Sequence, residues 1–231
     1  MTSKILTSLQ EKVLTTLFDN GLGEYGYFLT GGTALAEFYL QHRYSDDLDF
    51  FTRDPRDPKD DFQTFRSILV SNGFEITSEN LIEHHIRFDI RLPDQETEPL
   101  KIEFVTRDVP AMMAPTQIHG KVIVDSFEDI AVNKICAILG RYELKDYIDL
   151  WFILEESDFS VDYLLSRATE KDLSLEQEDG IFYFATNLKA VDGFQDFLKI
   201  QMLKPLTLET LKARLIPIAD DLLRRLRPRG E

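Results

Sequence analysis

Basic residues are scarce in this chain of 231 residues, in which 26 Lys and Arg stand against 41 Asp and Glu, a net charge of −15. Such an excess of negative charge opposes nonspecific coating of nucleic acid and leaves room only for a local basic patch. The single cysteine, Cys136, excludes an intramolecular disulfide framework and a cysteine-rich zinc site. We therefore expect a reducing, cytoplasmic compartment.

Long apolar runs are also missing, because no stretch approaches the roughly 20 uncharged apolar residues of a membrane helix. The first residues lack the apolar core of a signal peptide, so we expect a protein without contact with a membrane. No Gly-x-Ser-x-Gly, Walker-type or dinucleotide-binding pattern occurs. The four histidines are too scattered to predict a zinc site; they are His42, His84, His85 and His119.

What is present is a change of hydrophobic period near the middle of the chain. The first half contains both helical periodicity and the alternation that is typical of strands. Its predicted helices are 4–20, 33–41 and 57–72. Its predicted strands are 27–29, 47–51, 84–92, 100–105 and 121–124. The second half has helical periodicity alone, over 126–140, 145–155, 160–170, 176–189 and 207–227. We predict an α/β (α+β) fold, in which a small mixed sheet with flanking helices (1–125) precedes a helical domain (126–231).

The first candidate site combines a glycine turn with paired carboxylates. Gly31 and Gly32 lie between a predicted strand and a helix, where bare backbone N–H groups favour a phosphate. Asp47 and Asp49 are two residues apart on a strand, so both carboxylates leave the same face. Such oxygen ligands suit Mg2+. The alternative is a structural glycine turn followed by an acidic strand edge.

The second candidate site consists of charges within apolar helical stripes. Lys134 lies in the apolar stripe of helix 126–140, and Asp149 has apolar neighbours on every side. A charge in such a position requires a partner or a shifted pKa. A purely structural pair of Asp149 with Lys134 or Arg141 is the alternative. Asp146 is the weaker candidate, because a charge in the first turn of a helix is ordinary dipole electrostatics.

A third carboxylate would complete a site for two metal ions. Glu103 and Asp89 both lie on the polar face of the predicted hairpin, among basic neighbours, and we prefer Glu103 because its strand is the more apolar one. Cross-strand ion pairs explain the same residues without any function.

Arginines cluster only at the end of the chain, where Arg224, Arg225, Arg227 and Arg229 follow an amphipathic helix. They would either contact the phosphates of an RNA or complement the helix dipole and the acidic body, and we favour the second interpretation.

Four motifs in this order resemble the AbiEii-type nucleotidyltransferase-like toxin family, within the DNA polymerase β-like nucleotidyltransferase superfamily of bacterial toxin–antitoxin and phage-defence systems. They are Gly31-Gly32-Thr33-Ala34-Leu35, Arg43-x-Ser45-x-Asp47-Leu48-Asp49-Phe50, Lys134, and Arg141-x-x-x-Lys145-Asp146-x-x-Asp149-Leu150. The resemblance spans residues 25–155.

The resemblance implies transfer of a nucleoside monophosphate from an NTP to a hydroxyl group of a tRNA or a protein, and a cognate antitoxin. The implied nucleotide-binding residues are Gly31, Gly32, Thr33, Ser45 and Lys134, the last at the triphosphate. The implied catalytic residues are Asp47, Asp49, Lys134 and Asp149, and the implied Mg2+ ligands are Asp47 and Asp49. To these two ligands we add Glu103, the preferred third carboxylate of the predicted hairpin. The alternatives are a catalytically inactive interaction protein of the same fold and an aminoglycoside-type nucleotidyltransferase.

Overall fold

Two packing units divide the chain, Met1–Phe127 and Glu128–Glu231. The computed structural model describes residues 5–54, 58–82, 84–93, 98–106, 116–117, 120–197 and 200–226. The first unit contains a mixed sheet with flanking helices, and the second contains helices alone. The α/β class predicted from the sequence is therefore confirmed.

The sheet of the first unit has seven strands in the described residues, in the order β3-β4-β5-β2-β1-β7-β6. The strands are β1 (Tyr27–Thr30), β2 (Leu48–Thr52), β3 (Glu75–Ile82), β4 (His85–Arg91), β5 (Leu100–Thr106), β6 (Thr116–Gln117) and β7 (Ile123–Val124). β2 pairs in parallel with β5, and β1 with β7, whereas the other neighbours are antiparallel. β2 and β1 therefore occupy the interior of the sheet.

Helices and aromatic rings cover the buried face of this sheet. The helices are α1 (Ser8–Asp19), α2 (Gly31–Leu35), which continues as a π-helix (Ala36–Leu40), and α3 (Pro58–Ser71). α1 begins with a capping box, because the side chains of Thr7 and Gln10 each bond the other's backbone N–H. In the core, Phe104 stacks between Phe50 and Phe65, with ring centroids 5.1 and 4.5 Å away.

The predicted hairpin is present, and two strands, β3 and β6, were not predicted. β4 and β5 pair antiparallel and alternate between buried and half-buried positions, as their sequences predict. We predicted no strand at Glu75–Ile82, where β3 pairs with β4 at the edge of the sheet. None of its side chains is buried, so hydrophobic alternation could not reveal it. The two-residue β6 also escaped prediction.

The second unit is built from helices, as predicted, within the described residues. They are α4 (Phe127–Gly140), α5 (Leu144–Glu156), α6 (Val161–Ala168), α7 (Glu178–Lys189) and α8 (Leu208–Arg225), with 3-10 turns at Leu173–Glu176 and Ala190–Gly193. The predicted helix 176–189 corresponds to α7, which starts at Glu178 because the 3-10 turn extends to Glu176. None of the described helices has the length and apolar character needed to cross a membrane.

The turn from β1 into α2 depends on Gly31. Its φ of +73° lies in the left-handed region, where a side chain is strained. A Cβ at this position would also lie 2.2 Å from Oδ2 of Asp49. The glycine therefore provides both the backbone conformation and the space for that carboxylate.

We expect Gly31→Ala to destabilise the protein more than Gly73→Ala. Gly73 has a similar φ of +83° but no heavy atom within 4 Å of an added Cβ. The control should therefore lose only the backbone cost of about 1–2 kcal/mol. Gly31→Ala should lose about 1–3 kcal/mol more, because the methyl group displaces Asp49. Urea unfolding of both variants measures the difference, and equal losses would show that Asp49 moves aside freely.

Candidate active site

Three acidic side chains share the half-exposed face of the sheet. Residues of β2 alternate between buried and half-buried, so Asp47, just before the strand, and Asp49 lie on the same side, as predicted. Asp49 is flanked in register by Thr30 of β1 and by Glu103 of β5. The parallel pairing thus places Glu103 directly beside Asp49.

A lysine holds two of these carboxylates. Nζ of Lys101 lies 2.9 Å from Oδ2 of Asp47 and 3.2 Å from Oε2 of Glu103. On its other side, Glu103 Oε1 lies 3.3 Å from Nε2 of His85. Burial raises the pKa of Glu103, but Lys101, His85 and Asp49 outweigh it and the pKa is lowered. The pKa of Lys101 is raised, because Asp47 and Glu103 outweigh its burial.

Asp89, the other candidate for the third carboxylate, is engaged elsewhere. Its carboxylate accepts hydrogen bonds from Nε and Nη2 of Arg87 at 2.9–3.1 Å. In register it lies opposite Lys101, on the strand beyond Glu103. Ion pairs thus involve most of the charged residues on this face, in agreement with the interpretation of the hairpin as a set of cross-strand ion pairs. Of the two candidates, however, only Glu103 lies beside Asp49.

The glycine turn packs against side chains of the following loop. A Cβ on Gly32 would lie 2.7 Å from Nη2 of Arg43 and 3.0 Å from Oγ of Ser45. Thr33 is buried and its hydroxyl donates to the carbonyl oxygen of Asp47. The structure therefore brings together the predicted nucleotide-binding residues of this unit and the segment that carries Asp47.

Sequence reasoning missed two cations in this region. Arg43 is only 3% exposed although it carries a full charge, and its guanidinium group lies against the glycine turn. The motif that contains Arg43 predicts no role for this residue. Lys101 is one of the basic neighbours on the predicted hairpin face, and its bond to Asp47 depends on a strand pairing that local patterns do not show.

The oxygen ligands on this face fit Mg2+ chemically, and a cation already lies between two of them. No group of three or more His, Cys, Asp and Glu side chains in the described residues is arranged to hold a metal ion. Asp47 and Glu103 instead both bond the ammonium group of Lys101. Carboxylates that gather around an ammonium group have the charge that a hard divalent cation requires.

The second unit contains the other predicted pair, with an additional member. Nζ of Lys134 lies 2.6 Å from Oδ2 of Asp149 and 2.9 Å from Oδ1 of Asp146. Both carboxylates are fully buried, and Lys134 is 5% exposed. Arg141 Nε donates to Oδ2 of Asp146 at 2.7 Å. The cluster thus contains the pairing of Asp149 with Lys134 that the structural alternative requires.

The expectation that Asp146 is an ordinary first-turn charge is wrong. Its side chain is inaccessible to water, and it connects Lys134 with Arg141. Burial raises its pKa, but the two cations lower it by more, and the pKa is lowered overall. The position of Asp146 in the first turn of α5 does not predict its burial, because its side chain faces α4 and not the solvent.

The basic end of α8 is paired with acidic residues where the structure describes it. Arg225 bonds Asp162 at 2.8 Å and also pairs with Asp221, which Arg224 contacts as well. Arg227 and Arg229 lie outside the described residues. The contacts of Arg224 and Arg225 agree with the interpretation that these charges complement the acidic protein.

The sequence matches a known family along most of its length. A family model described as "Nucleotidyl transferase AbiEii toxin, Type IV TA system" matches residues 12–226. The match extends beyond the 25–155 of the motif resemblance and includes the C-terminal helices. A curated relative, the uncharacterized protein aq_aa25 of Aquifex aeolicus, is 29% identical over 173 residues, which are 74% of each chain.

Solved structures share the fold. JHP933 from Helicobacter pylori has a TM-score of 0.57 and 23% identity, over 94% of this chain and 90% of that one. MenT4, a nucleotidyltransferase toxin from Mycobacterium tuberculosis, has a TM-score of 0.54 and 15% identity, over 94% of this chain and 85% of that one. At these identities the likeness shows the fold alone.

We expect Lys134→Met to destabilise the protein by about 3–5 kcal/mol, because it leaves buried carboxylates without their shared cation. The matched control is Lys145→Met, since the Lys145 side chain is 36% exposed and pairs with the exposed Glu143. That control should change stability by no more than about 0.5 kcal/mol. Urea unfolding measures both, and equal stability of the two variants would contradict a structural role for the cluster.

We also expect the Asp146 cluster to make stability sensitive to acid. Because the pKa of Asp146 is lowered in the folded state, its contribution is present above the unfolded pKa of about 4. That contribution is lost as the pH falls through the folded pKa. The free energy of unfolding should therefore fall less between about pH 5 and pH 3 in Asp146→Asn than in the wild type. Parallel pH profiles would be the contrary result.

Proposed function

The chain belongs to the AbiEii nucleotidyltransferase toxin family, and we propose that it transfers a nucleoside monophosphate from an NTP to a hydroxyl group, releasing pyrophosphate, with Mg2+ as cofactor. Family membership makes it a toxin-type nucleotidyltransferase. The observation that carries the magnesium proposal is the register of β2 and β5, which puts Glu103 beside Asp49 on the face that also carries Asp47.

In this proposal Asp47 and Asp49 hold Mg2+, and Glu103 is the third carboxylate. When bound, Mg2+ would neutralise charge on the phosphates during an in-line displacement. The protein's own contribution is to keep the carboxylates in place. Thr33 fixes the backbone at Asp47, and Gly31 leaves space for Asp49.

The turn at Gly31 and Gly32 is proposed to bind the nucleotide phosphates through backbone N–H groups, with Thr33 and Ser45 beside it. Ser45 Oγ already lies next to Gly32, which supports the grouping. Arg43 adds a buried positive charge at the same turn, where it favours an anion.

The roles of Lys134 at the triphosphate and of Asp149 in catalysis are part of the same proposal. In the second unit these side chains form a buried ion pair. If substitution of Lys134 or Asp149 abolishes activity, that loss is therefore informative only together with a measurement of the variant's stability. Asp149 either holds Lys134 or accepts the proton of the attacking hydroxyl group.

The acceptor is proposed to be a hydroxyl group of a tRNA or a protein, in the cytoplasm. The family description as a type IV toxin–antitoxin system supports a cognate antitoxin as partner. Transfer to an aminoglycoside would identify the small-molecule class instead. A wild-type protein that labels no acceptor would identify an inactive interaction protein.

We expect Asp47→Asn and Asp49→Asn each to reduce label transfer from α-32P NTPs in Mg2+ by about 100-fold or more, since each removes a charge that holds the metal. Asp89→Asn is the matched control, because this carboxylate lies on the same face but bonds Arg87. The control should keep most of its activity.

The assay contains purified protein, each NTP in turn, and one of three acceptors: the tRNA fraction of a bacterial extract, its protein fraction, or a purified aminoglycoside. Thermal unfolding confirms that the variants are folded. Undiminished transfer by both Asp47→Asn and Asp49→Asn would remove these residues from the active site. Equal loss in Asp89→Asn would show that general charge on the sheet face, and not the Asp47–Asp49 pair, is required.

A further inference from the structure

Lys101 stands where a metal would compete for its partners. Its ammonium group bonds Asp47 and Glu103, which are two of the three carboxylates proposed to surround Mg2+. The lysine and both carboxylates are about a quarter exposed, at 25%, 27% and 22% of their side-chain area. Water and ions therefore reach these groups, and the ion pairs can exchange without unfolding.

We propose that Lys101 is a resident counter-cation of the metal-binding carboxylates, and that Mg2+ has to displace its ammonium group from Asp47 and Glu103. This inference rests on the proposed function, because it assumes that these carboxylates bind metal. In the metal-free protein Lys101 keeps Asp47 and Glu103 together by offsetting their repulsion. The same charge opposes the entry of a divalent cation.

The consequence is that metal binds weakly alone and more tightly with nucleotide. A displaced ammonium group next to a divalent cation needs a new anionic partner. The triphosphate of an NTP provides one, since it carries several negative charges and arrives with the metal. Lys101 would thus make the site select the metal–nucleotide complex over the free ion.

The test measures metal affinity directly, by electron paramagnetic resonance of Mn2+ titrated into purified protein without nucleotide. Lys101→Met should bind Mn2+ about tenfold more tightly or better, because a competing unit charge is gone. Lys101→Arg keeps the charge and should bind as weakly as the wild type. Lys101→Gln is a second neutral variant in case Lys101→Met folds poorly, and Lys121→Met, which removes an exposed lysine paired with Asp19, is the unrelated control.

A non-hydrolysable NTP analogue provides the second readout. It should increase Mn2+ affinity more in the wild type than in Lys101→Met, since only the wild type has a displaced ammonium group to accommodate. Unchanged or weaker Mn2+ binding in both neutral variants would overturn the proposal for Lys101. If Asp47→Asn and Asp49→Asn bind Mn2+ like the wild type, the metal site itself fails, and the two failures are thereby distinguished.

Discussion

The parallel pairing of β2 with β5 is the constraint on which the candidate active site depends. Strands that pair in parallel bring residues from distant parts of the chain into register, here Asp49 with Glu103. The pairing of β1 with β2 then places Thr30 and the glycine turn on the other side of Asp49. A slip of one residue in either pair would turn these side chains to the buried face. The apolar residues on either side of Asp49, Leu48 and Phe50, oppose that slip because both are completely buried.

Local patterns predicted most of the helices and strands and the shared face of Asp47 and Asp49. The two-residue spacing of Asp47 and Asp49 placed both on one face, and the burial of alternate residues confirms it. Apolar alternation likewise predicted the hairpin of β4 and β5. β3 could not be found in this way, since an edge strand without buried side chains is held by backbone bonds that no side-chain pattern records.

The sequence could not predict which charged residues form ion pairs with each other. Helical spacing showed that Lys134 and Asp149 lie within apolar stripes and therefore need partners. It did not show that Asp146 joins them, because that depends on how α4 and α5 pack. The same limit applies to Lys101, whose contact with Asp47 crosses from β5 to the loop before β2. Ion pairs that form through tertiary contacts leave no periodic pattern in the sequence, so only the structure identifies the partners.

The two units use one arrangement, a lysine between two carboxylates, with opposite physical consequences. Around Lys134 the carboxylates have no exposed area, so removing a partner leaves a charge in a medium that cannot solvate it. Around Lys101 each group retains about a quarter of its exposure, and water can replace either partner. Burial therefore decides that the first arrangement holds helices together, whereas the second can exchange its cation. Under the proposed function, the exchange of this cation is the step that would let Mg2+ take its place between the carboxylates.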